Sequence, residues 1–298
     1  MAREHYLDGF LIAKRAENRS PVTIEGYGRQ LRRFLSFVNG GGFDATTVRA
    51  FLLERQRTVS PASVHADYRV IKAFFNWLAA EELIPDSDNP IKKVKPPRVP
   101  AKLLPIFSPD HIADLLELCA GKSFLELRNR AIILVLLDTG LRVSECAAVR
   151  LSDLNGDVIT VWGKGAKQRR VRIGALTQKA VWRYLLLHDR IHDHLWLTEE
   201  RRPMHKRGIM IMLYRLGKRA GIEGARCSAH TFRHTFAVQF LRGGGDLFNL
   251  RYLLGHETLE MTRRYAACLG AEDAAAAHAK SSPVDHLLRL RTRREDGR

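Results

Sequence analysis

The first hundred residues carry apolar side chains at intervals of three and four positions, which is the spacing of one buried helix face. Ser20 and Ser60 each precede a proline, and serine at the N-cap with proline at the first helical position favours a helix start. The helix after Ser20 is predicted to end at glycines 40–42, and another is predicted over Ala45–Arg57. The predicted buried positions of the helix after Ser20 are Ile24, Tyr27, Leu31, Phe34, Leu35 and Val38. Those of the helix after Ser60 are Val64, Tyr68, Ile71, Phe75 and Leu78. The pattern predicts a helical N-terminal domain over residues 1–90.

A stretch rich in proline and lysine, Asn89–Pro100, follows and shows neither a helical nor a strand period. Proline favours extended backbone and charged lysines stay solvated, so residues 91–106 are predicted to form an interdomain linker. Lys92, Lys93 and Lys95 in this linker are candidates to lie along a phosphate backbone. A solvated tether accounts for the same residues equally well.

The rest of the chain predicts a mostly helical domain over residues 107–270 that contains one β-hairpin. Its strands, Val158–Trp162 and Arg169–Ile173, flank a basic turn at residues 163–168. The predicted helices start after Ser108 and cover Leu125–Leu137, Val143–Val149, Gln178–His188, Arg207–Ala220, Thr231–Leu241, Leu247–Leu254 and Leu259–Ala267. Residues 271–298 form a tail with an alanine-rich helix and an apolar segment at Pro283–Leu290. The predicted fold class is mainly α with a small β-sheet: an N-terminal helical bundle followed by an α+β domain.

Composition adds a strong positive charge to this picture. The 298 residues include 49 Lys and Arg against 32 Asp and Glu, a net charge of +17, and both domains carry part of the excess. A positive field over both domains suits a polyanion, and nucleic acid is the commonest one. A generic solubilising surface accounts for the charge alone.

Other features of the composition exclude several classes of protein. No apolar run approaches the roughly 20 residues that span a bilayer, and the charged N-terminus does not fit a signal peptide. We therefore expect a cytoplasmic, nucleoid-associated protein without a membrane partner. The four cysteines lie far apart, which predicts reduced thiols rather than disulfides or a zinc site.

Common cofactor motifs are missing from the sequence. It has no G-x-x-x-x-G-K-[ST] phosphate loop, no G-x-G-x-x-G after a strand, no H-E-x-x-H, and no cluster of acidic residues for two magnesium ions. His230 and His234 are spaced as i and i+4 on one helix, which could suit a metal. No third ligand accompanies them, so no metal and no other cofactor is predicted.

Five short polar stretches carry the candidate chemistry. Taken singly, each of their residues has a structural alternative, such as a surface arginine, a core histidine or a structural tyrosine. Glu145 follows Arg142 by three positions, so its carboxylate can brace the guanidinium or the helix start. The stretches are Thr139-Gly-Leu-Arg-Val-Ser-Glu145, Gly163-Lys-Gly-Ala-Lys-Gln-Arg169, His230-Thr-Phe-Arg-His-Thr-Phe-Ala237, Leu253-Leu-Gly-His256 and Met261-Thr-Arg-Arg-Tyr265.

The order and spacing of these stretches resemble the tyrosine recombinase (phage integrase) family. The match covers roughly residues 105–268, and the N-terminal domain resembles the family's core-binding, SAM-like domain. The length is similar to the compact Xer-type members, which lack an arm-binding domain. Two departures, Phe232 where leucine is common and Arg172 where proline is common, do not touch the chemistry.

The resemblance implies a role for each candidate residue. Tyr265 would be the nucleophile and form a 3′-phosphotyrosyl link, and Arg142 and Arg233 would neutralise the phosphate. His230 would be the acid or base, Lys164 would protonate the leaving 5′-oxygen, and His256 would hydrogen-bond the phosphate. The expected supporting residue is Glu145, and the expected additional DNA contacts are Lys92, Lys93, Lys95, Lys167 and Arg169.

The family likeness also implies partners. We expect a double-stranded recombination site bound by a homodimer, with two sites joined in a homotetramer. The tail would dock on a neighbouring protomer, while docking on the protomer's own domain and a heteromeric partner stay open. A type IB topoisomerase uses the same nucleophile chemistry, but the helical N-terminal domain, the tail and His230 in His-x-x-Arg favour a recombinase. A DNA-binding protein that never cuts would explain the charge but not the full set of residues, and a metal-dependent nuclease lacks its carboxylates.

Overall fold

A computed structural model of the chain describes residues 2–39, 41–100, 104–163 and 168–270, together with residues 273, 275, 278, 282 and 284. The chain divides into two units, Met1–Lys102 and Leu103–Arg298, and each unit has a hydrophobic core of its own. None of the described helices is long and apolar enough to cross a membrane.

The described part of the N-terminal unit has four α-helices, which are α1 (Ala2–Ala16), α2 (Pro21–Val38), α3 (Ala45–Thr58) and α4 (Pro61–Ala80). The predicted caps of α2 and α4 are confirmed, since the hydroxyls of Ser20 and Ser60 each accept a backbone N–H three residues on, at 3.3 Å. Helix α1 is absent from the sequence prediction. Its buried residues Leu7, Phe10 and Leu11 have helical spacing, but they occupy only one turn of the sequence pattern.

The predicted linker begins too early. Ile91 and Val94 are buried in the core of the N-terminal unit, within and just after a short 3₁₀ helix at Pro90–Lys93. The hydroxyl of Tyr68 on α4 donates a hydrogen bond to the carbonyl of Val94 at 3.1 Å. Two apolar side chains between the lysines therefore tie this segment to the unit, because burying them removes apolar surface from water.

The lysines of the same segment point outward. Lys92, Lys93 and Lys95 are all exposed, and Lys92 pairs with Asp86. The carbonyl of Lys93 accepts a hydrogen bond from Arg49 at 2.6 Å. Their predicted contact with DNA stays a prediction, but the backbone that carries them is fixed.

The C-terminal unit follows the predicted mainly helical pattern. Its elements are α5 (Pro109–Glu117), α6 (Phe124–Thr139), α7 (Val143–Ala148), β1 (Leu154–Asn155), β2 (Val158–Trp162), β3 (Gln168–Arg172), α8 (Ala175–Leu185), α9 (Lys206–Arg219), α10 (Ala229–Arg242), α11 (Leu247–Leu254) and α12 (Glu260–Ala266). The strands form one antiparallel sheet in the order β1-β2-β3, with Val161 opposite Arg169. Strand β1 extends the predicted hairpin, and its two residues are too few to show an alternating pattern.

Helix α6 lies at the centre of the C-terminal core. Its apolar side chains are buried on several faces, as expected for a helix that other elements surround. A second apolar cluster joins α10, α11 and α12, and it contains Phe236, Leu250, Leu254 and Tyr265. This second cluster holds together α10, which carries His230 and Arg233, α12, which carries Tyr265, and α11, which ends two residues before His256.

Two predicted features lie outside the described residues. They are the turn with Lys164 and Lys167, and, apart from Val284, the apolar tail segment 283–290.

Candidate active site

Arg142 is placed by a tight turn between α6 and α7. Helix α6 ends at Gly140, whose φ of +59° lies in the left-handed region that favours glycine. A Cβ on Gly140 would lie 2.4 Å from a ring carbon of Phe236, so a larger residue does not fit there. Two residues later, Arg142 is the N-cap of α7 and its side chain is partly exposed.

Glu145 binds Arg142 in two ways, as the spacing of three residues predicts. One carboxylate oxygen accepts the backbone N–H of Arg142 at 2.9 Å, and the other accepts its Nη1 at 2.8 Å. Burial alone would raise the pKa of Glu145. The hydrogen bonds from Arg169 and from the Arg142 backbone outweigh burial, so the pKa lies below its usual value and the carboxylate stays charged.

Arg169 is buried against Glu145, whereas a residue that contacts DNA is expected to be exposed. Its Nη1 and Nη2 donate to the two Glu145 oxygens at 3.1 and 2.7 Å, and its Nε donates to the carbonyl of Leu253 at 2.8 Å. Only 7% of Arg169 is exposed. The hydrogen-bonding groups of Arg169 are thus turned into the protein, which favours a structural role over the predicted contact with DNA.

Arg233 on α10 is the second guanidinium of the site and is more deeply buried than Arg142. Its Nη1 donates to the carbonyl of Gly140 and its Nη2 to the carbonyl of Leu254, both at 2.8 Å. Burial, followed by the positive charge of Arg142, lowers the pKa of Arg233 to about 10. The side chain therefore stays protonated at neutral pH, and it holds the turn after α6 to the end of α11.

The end of α11 carries His256 into the same region. Gly255 ends the helix at a φ of +62°, and its carbonyl accepts a hydrogen bond from Arg142 Nη2 at 3.3 Å. Nδ1 of His256 lies 2.9 Å from the hydroxyl of Thr262 on α12. Burial, and then the charges of Arg233 and Arg142, lower the pKa of His256 to about 4, so its ring is neutral at neutral pH.

Tyr265 on α12 is only 2% exposed and packs against two histidines. The ring of His256 is parallel to the Tyr265 ring within 6°, with 6.2 Å between the centroids. The Tyr265 hydroxyl lies 3.2 Å from Nδ1 of His234 on α10. The sequence indicates only a metal-ligand role for His234, because no spacing rule reveals a contact with a side chain 31 positions later.

His230 lies one turn before His234 on α10 and is exposed. The centroids of the two imidazole rings are 6.4 Å apart. Within the described residues, no group of three or more His, Cys, Asp and Glu side chains could hold a metal ion.

A cleft of about 1010 Å³ opens beside these residues. Arg142 and His256 line it together with Gly163 and Gln168, the residues that flank the turn containing Lys164. The exposed side chains that line it include Trp162, Arg251 and Tyr252. The cleft therefore brings Arg142, His256 and the two sides of the hairpin turn to one opening.

Two family models match the chain. The phage integrase family model matches residues 106–271, and the model of the phage integrase N-terminal SAM-like domain matches residues 7–82. Among curated proteins, tyrosine recombinase XerC of Anoxybacillus flavithermus is 32% identical over 266 residues, covering 84% of this chain and 88% of that protein. Tyrosine recombinase XerD of Halalkalibacterium halodurans is 30% identical over 276 residues, covering 87% and 91% of the two chains.

Solved structures show the same fold. The crystal structure of XerA recombinase is 27% identical, covers 94% of this chain and 99% of its own, and superposes with a TM-score of 0.53. A lambda integrase dimer bound to a COC′ core site is 16% identical and has a TM-score of 0.73, with coverage of 90% and 96%. At that identity the lambda integrase likeness concerns the fold alone.

Proposed function

Because the chain belongs to the phage integrase family and is a tyrosine site-specific recombinase, we propose that Tyr265 cleaves DNA by attacking a phosphodiester bond. A recombination site in double-stranded DNA is its substrate. Transesterification at each strand would join the 3′-phosphate to Tyr265 and release a 5′-hydroxyl, which later attacks the phosphotyrosine to reseal a strand.

One observation carries the assignment of the phosphate site. Arg142 donates to the carbonyl of Gly255, and Arg233 donates to the carbonyl one residue earlier. Two guanidinium groups are thus anchored to adjacent peptide units although their charges repel. A phosphodiester repels nucleophiles through its anionic oxygens, and two fixed guanidiniums can neutralise the charge that develops during attack.

His256 is the proposed third contact to the phosphate. Its low pKa keeps the ring neutral, so one ring nitrogen carries hydrogen. When the Thr262 hydroxyl donates to Nδ1, the hydrogen is on Nε2 and is available to a phosphate oxygen. This tautomer would make His256 a hydrogen-bond donor without adding charge.

Proton transfers complete the proposed cleavage step. The bond between Tyr265 Oη and phosphorus forms, and the bond from phosphorus to the 5′-oxygen breaks. The phenol proton passes to a base, for which His230 is the candidate, and Lys164 gives a proton to the leaving oxygen. No ATP or metal is required for rejoining, because the phosphotyrosyl bond preserves the energy of the phosphodiester.

The assembly and location are also proposals. A homodimer on each site and a homotetramer joining two sites would provide the four tyrosines that four strand cuts require. The exposed Lys92, Lys93 and Lys95, and Lys167 in the hairpin turn, would contact the DNA backbone. A DNA substrate of this kind implies action at the nucleoid in the cytoplasm.

A covalent-capture experiment tests the central step. A duplex is selected from a randomised pool by its binding to the protein, and a nick is then placed beside the mapped cleavage position so that the cut cannot be resealed. We expect an SDS-resistant protein–DNA adduct in the presence of EDTA, and Tyr265→Phe should bind the same duplex without forming it. An adduct that survives this substitution would show that another residue is the nucleophile.

A further inference from the structure

The hydrogen bond between Tyr265 and His234 has no role in the mechanism above. The Tyr265 hydroxyl and His234 Nδ1 are 3.2 Å apart, and the two residues come from different helices, α12 and α10. Tyr265 is almost fully buried, and His234 is partly buried. A hydrogen bond in such surroundings fixes the direction of the hydroxyl more firmly than one in water would.

The charge state of His234 leaves one of its ring nitrogens free to accept a hydrogen bond. Burial, and then the charges of Arg264, His230 and Arg233, lower the pKa of His234 to about 4. Its ring is therefore neutral at neutral pH, and in the tautomer that carries hydrogen on Nε2 the unprotonated Nδ1 accepts the hydrogen of the tyrosine. A base this weak does not hold the proton of a phenol, whose pKa is ordinarily about 10. His234 can therefore orient the hydroxyl but does not deprotonate it.

The other contacts of Tyr265 among the described residues fix its ring but not the direction of its hydroxyl, which therefore depends on His234. The parallel His256 ring fixes the plane of the phenol, and Thr262 holds that ring in turn. Helix α12 has only seven residues, so it depends on packing against its neighbours for stability.

We propose that His234 is a positioning residue for strand cleavage, whose Nδ1 accepts the hydrogen bond of Tyr265 and aims the nucleophilic oxygen. The inference rests on the proposed role of Tyr265 as the nucleophile. With its hydrogen directed to His234 before attack, the oxygen presents its lone pairs to the remaining directions, including that of the incoming phosphorus. The proton leaves for the base of the cleavage step only as the bond to phosphorus forms.

Three substitutions at one position test this inference. His234→Leu removes the acceptor, His234→Asn places an amide oxygen where Nδ1 was, and His234→Gln places its amide near the position of Nε2. The rate of adduct formation is measured at saturating protein on the nicked duplex, beside the dissociation constant. His188→Asn is the matched control, because His188 is a buried histidine of the same unit whose hydrogen bonds go to Arg190 and His194.

We expect His234→Leu to slow adduct formation about a hundredfold, as a misdirected reacting group does, with DNA affinity unchanged. His234→Asn should recover most of the rate, while His234→Gln stays slow and His188→Asn cleaves like the wild type. The ¹⁵N shift of His234 Nδ1 in the full chain should also change in Tyr265→Phe. This signal reports the hydrogen bond even if the leucine variant does not fold.

Wild-type or faster cleavage by His234→Leu would overturn the inference, since the histidine would then be dispensable or restraining. Equal rates for folded His234→Asn and His234→Leu would overturn it too, and so would an unchanged ¹⁵N shift in Tyr265→Phe. Failure of the proposed function is a separate outcome, because the wild type would then form no adduct that depends on Tyr265.

Discussion

Arg169 and Glu145 form a two-point ion pair in the interior of the C-terminal unit, with N–O distances of 3.1 and 2.7 Å. Glu145 uses the same two oxygens to hold Arg142, so the pair sets the position of the more exposed guanidinium. Arg169 also reaches the carbonyl of Leu253. It therefore connects strand β3 with the two segments that carry Arg142 and His256.

The first prediction concerns this connection. Lysine cannot reproduce two parallel hydrogen bonds and a third to a carbonyl, so Arg169→Lys should lower the free energy of unfolding by about 3 kcal/mol. Cleavage should slow as Arg142 loses its brace. Denaturant unfolding measures the first effect, and Arg170→Lys, at the exposed neighbouring position, should leave stability unchanged.

DNA binding distinguishes this role from the direct contact that the sequence suggests. A residue that neutralises a phosphate lowers the salt slope of binding by about one when it is removed. The slope for Arg169→Gln, which removes the charge, should equal that of the wild type. A lower slope together with wild-type stability would show that Arg169 contacts DNA directly.

The second prediction separates the two arginines of the phosphate site. Arg142→Ala and Arg233→Ala should each slow cleavage about a hundredfold or more, as loss of a preorganised charge donor does. Arg233→Ala should also lower the melting temperature clearly, because it leaves the carbonyls of Gly140 and Leu254 without their buried donor. Arg142 is partly exposed, so its loss should affect stability much less. Equal losses of stability in the two variants would show that the deeper burial of Arg233 does not give it the larger structural role.

Local contacts could be predicted from the sequence, and contacts between distant segments could not. The bond from Arg142 to Glu145 and the caps at Ser20 and Ser60 follow from helix geometry over three residues. The partner of Arg169 lies 24 residues away and depends on how β3 packs against α7, which no periodicity reveals.

The same limit applies to the linker and to His234. Ile91 and Val94 stand among lysines and prolines, where the sequence shows no period, yet the core of the N-terminal unit has room for both. The partner of His234 is on another helix, so its position becomes clear only when α10 and α12 are packed together.

The third prediction identifies the group that protonates the leaving oxygen. Lys164→Ala should cleave an ordinary phosphodiester slowly, and a substrate with a 5′-bridging phosphorothioate should restore its rate, because sulfur leaves without a proton. Lys167→Ala is the matched control on the same turn and should show no such rescue. Rescue of Lys167→Ala in place of Lys164→Ala would move the acid assignment to Lys167.

The fourth prediction concerns acid sensitivity. The pKa values of His234 and His256 are lowered from about 6.5 to about 4 by folding. The unfolded chain therefore binds more protons than the folded chain between these values, and stability decreases as the pH falls from about 6.5 to about 4. The contribution is fully present above pH 6.5. The pKa of Glu145 is also lowered, so its contribution to stability is lost only as the pH falls below the usual pKa of a carboxyl group.

Thermal melts across this range measure the histidine contribution. The melting temperature should fall between pH 7 and pH 5, and a His234→Asn, His256→Asn double variant should show a smaller fall. An unchanged slope in the double variant would show that other groups cause the acid sensitivity.

The last prediction concerns the tail, whose apolar segment at 283–290 includes Val284, Leu287, Leu288 and Leu290. In the proposed tetramer only one pair of subunits would be active at a time, so protomers would have to sense one another. Each leucine of the segment offers about 2 kcal/mol if it is buried on a neighbour. Truncation after Lys280 should leave the affinity of one protomer for a half-site nearly unchanged, and it should weaken cooperative filling of paired half-sites. Gel-shift titrations of single and paired half-sites measure both quantities.

The same truncation should uncouple cleavage from strand exchange. Adduct formation on the nicked duplex would continue, while recombinant product from two intact sites would fall, because the tail would no longer connect active and inactive subunits. Substituting Leu287 and Leu288 together by serine in the full-length chain should reproduce the effect without shortening the protein. Docking on the protomer's own domain would instead reduce stability and leave cooperativity intact. A truncated protein that recombines paired sites at the full-length rate would show that the tail has no such role.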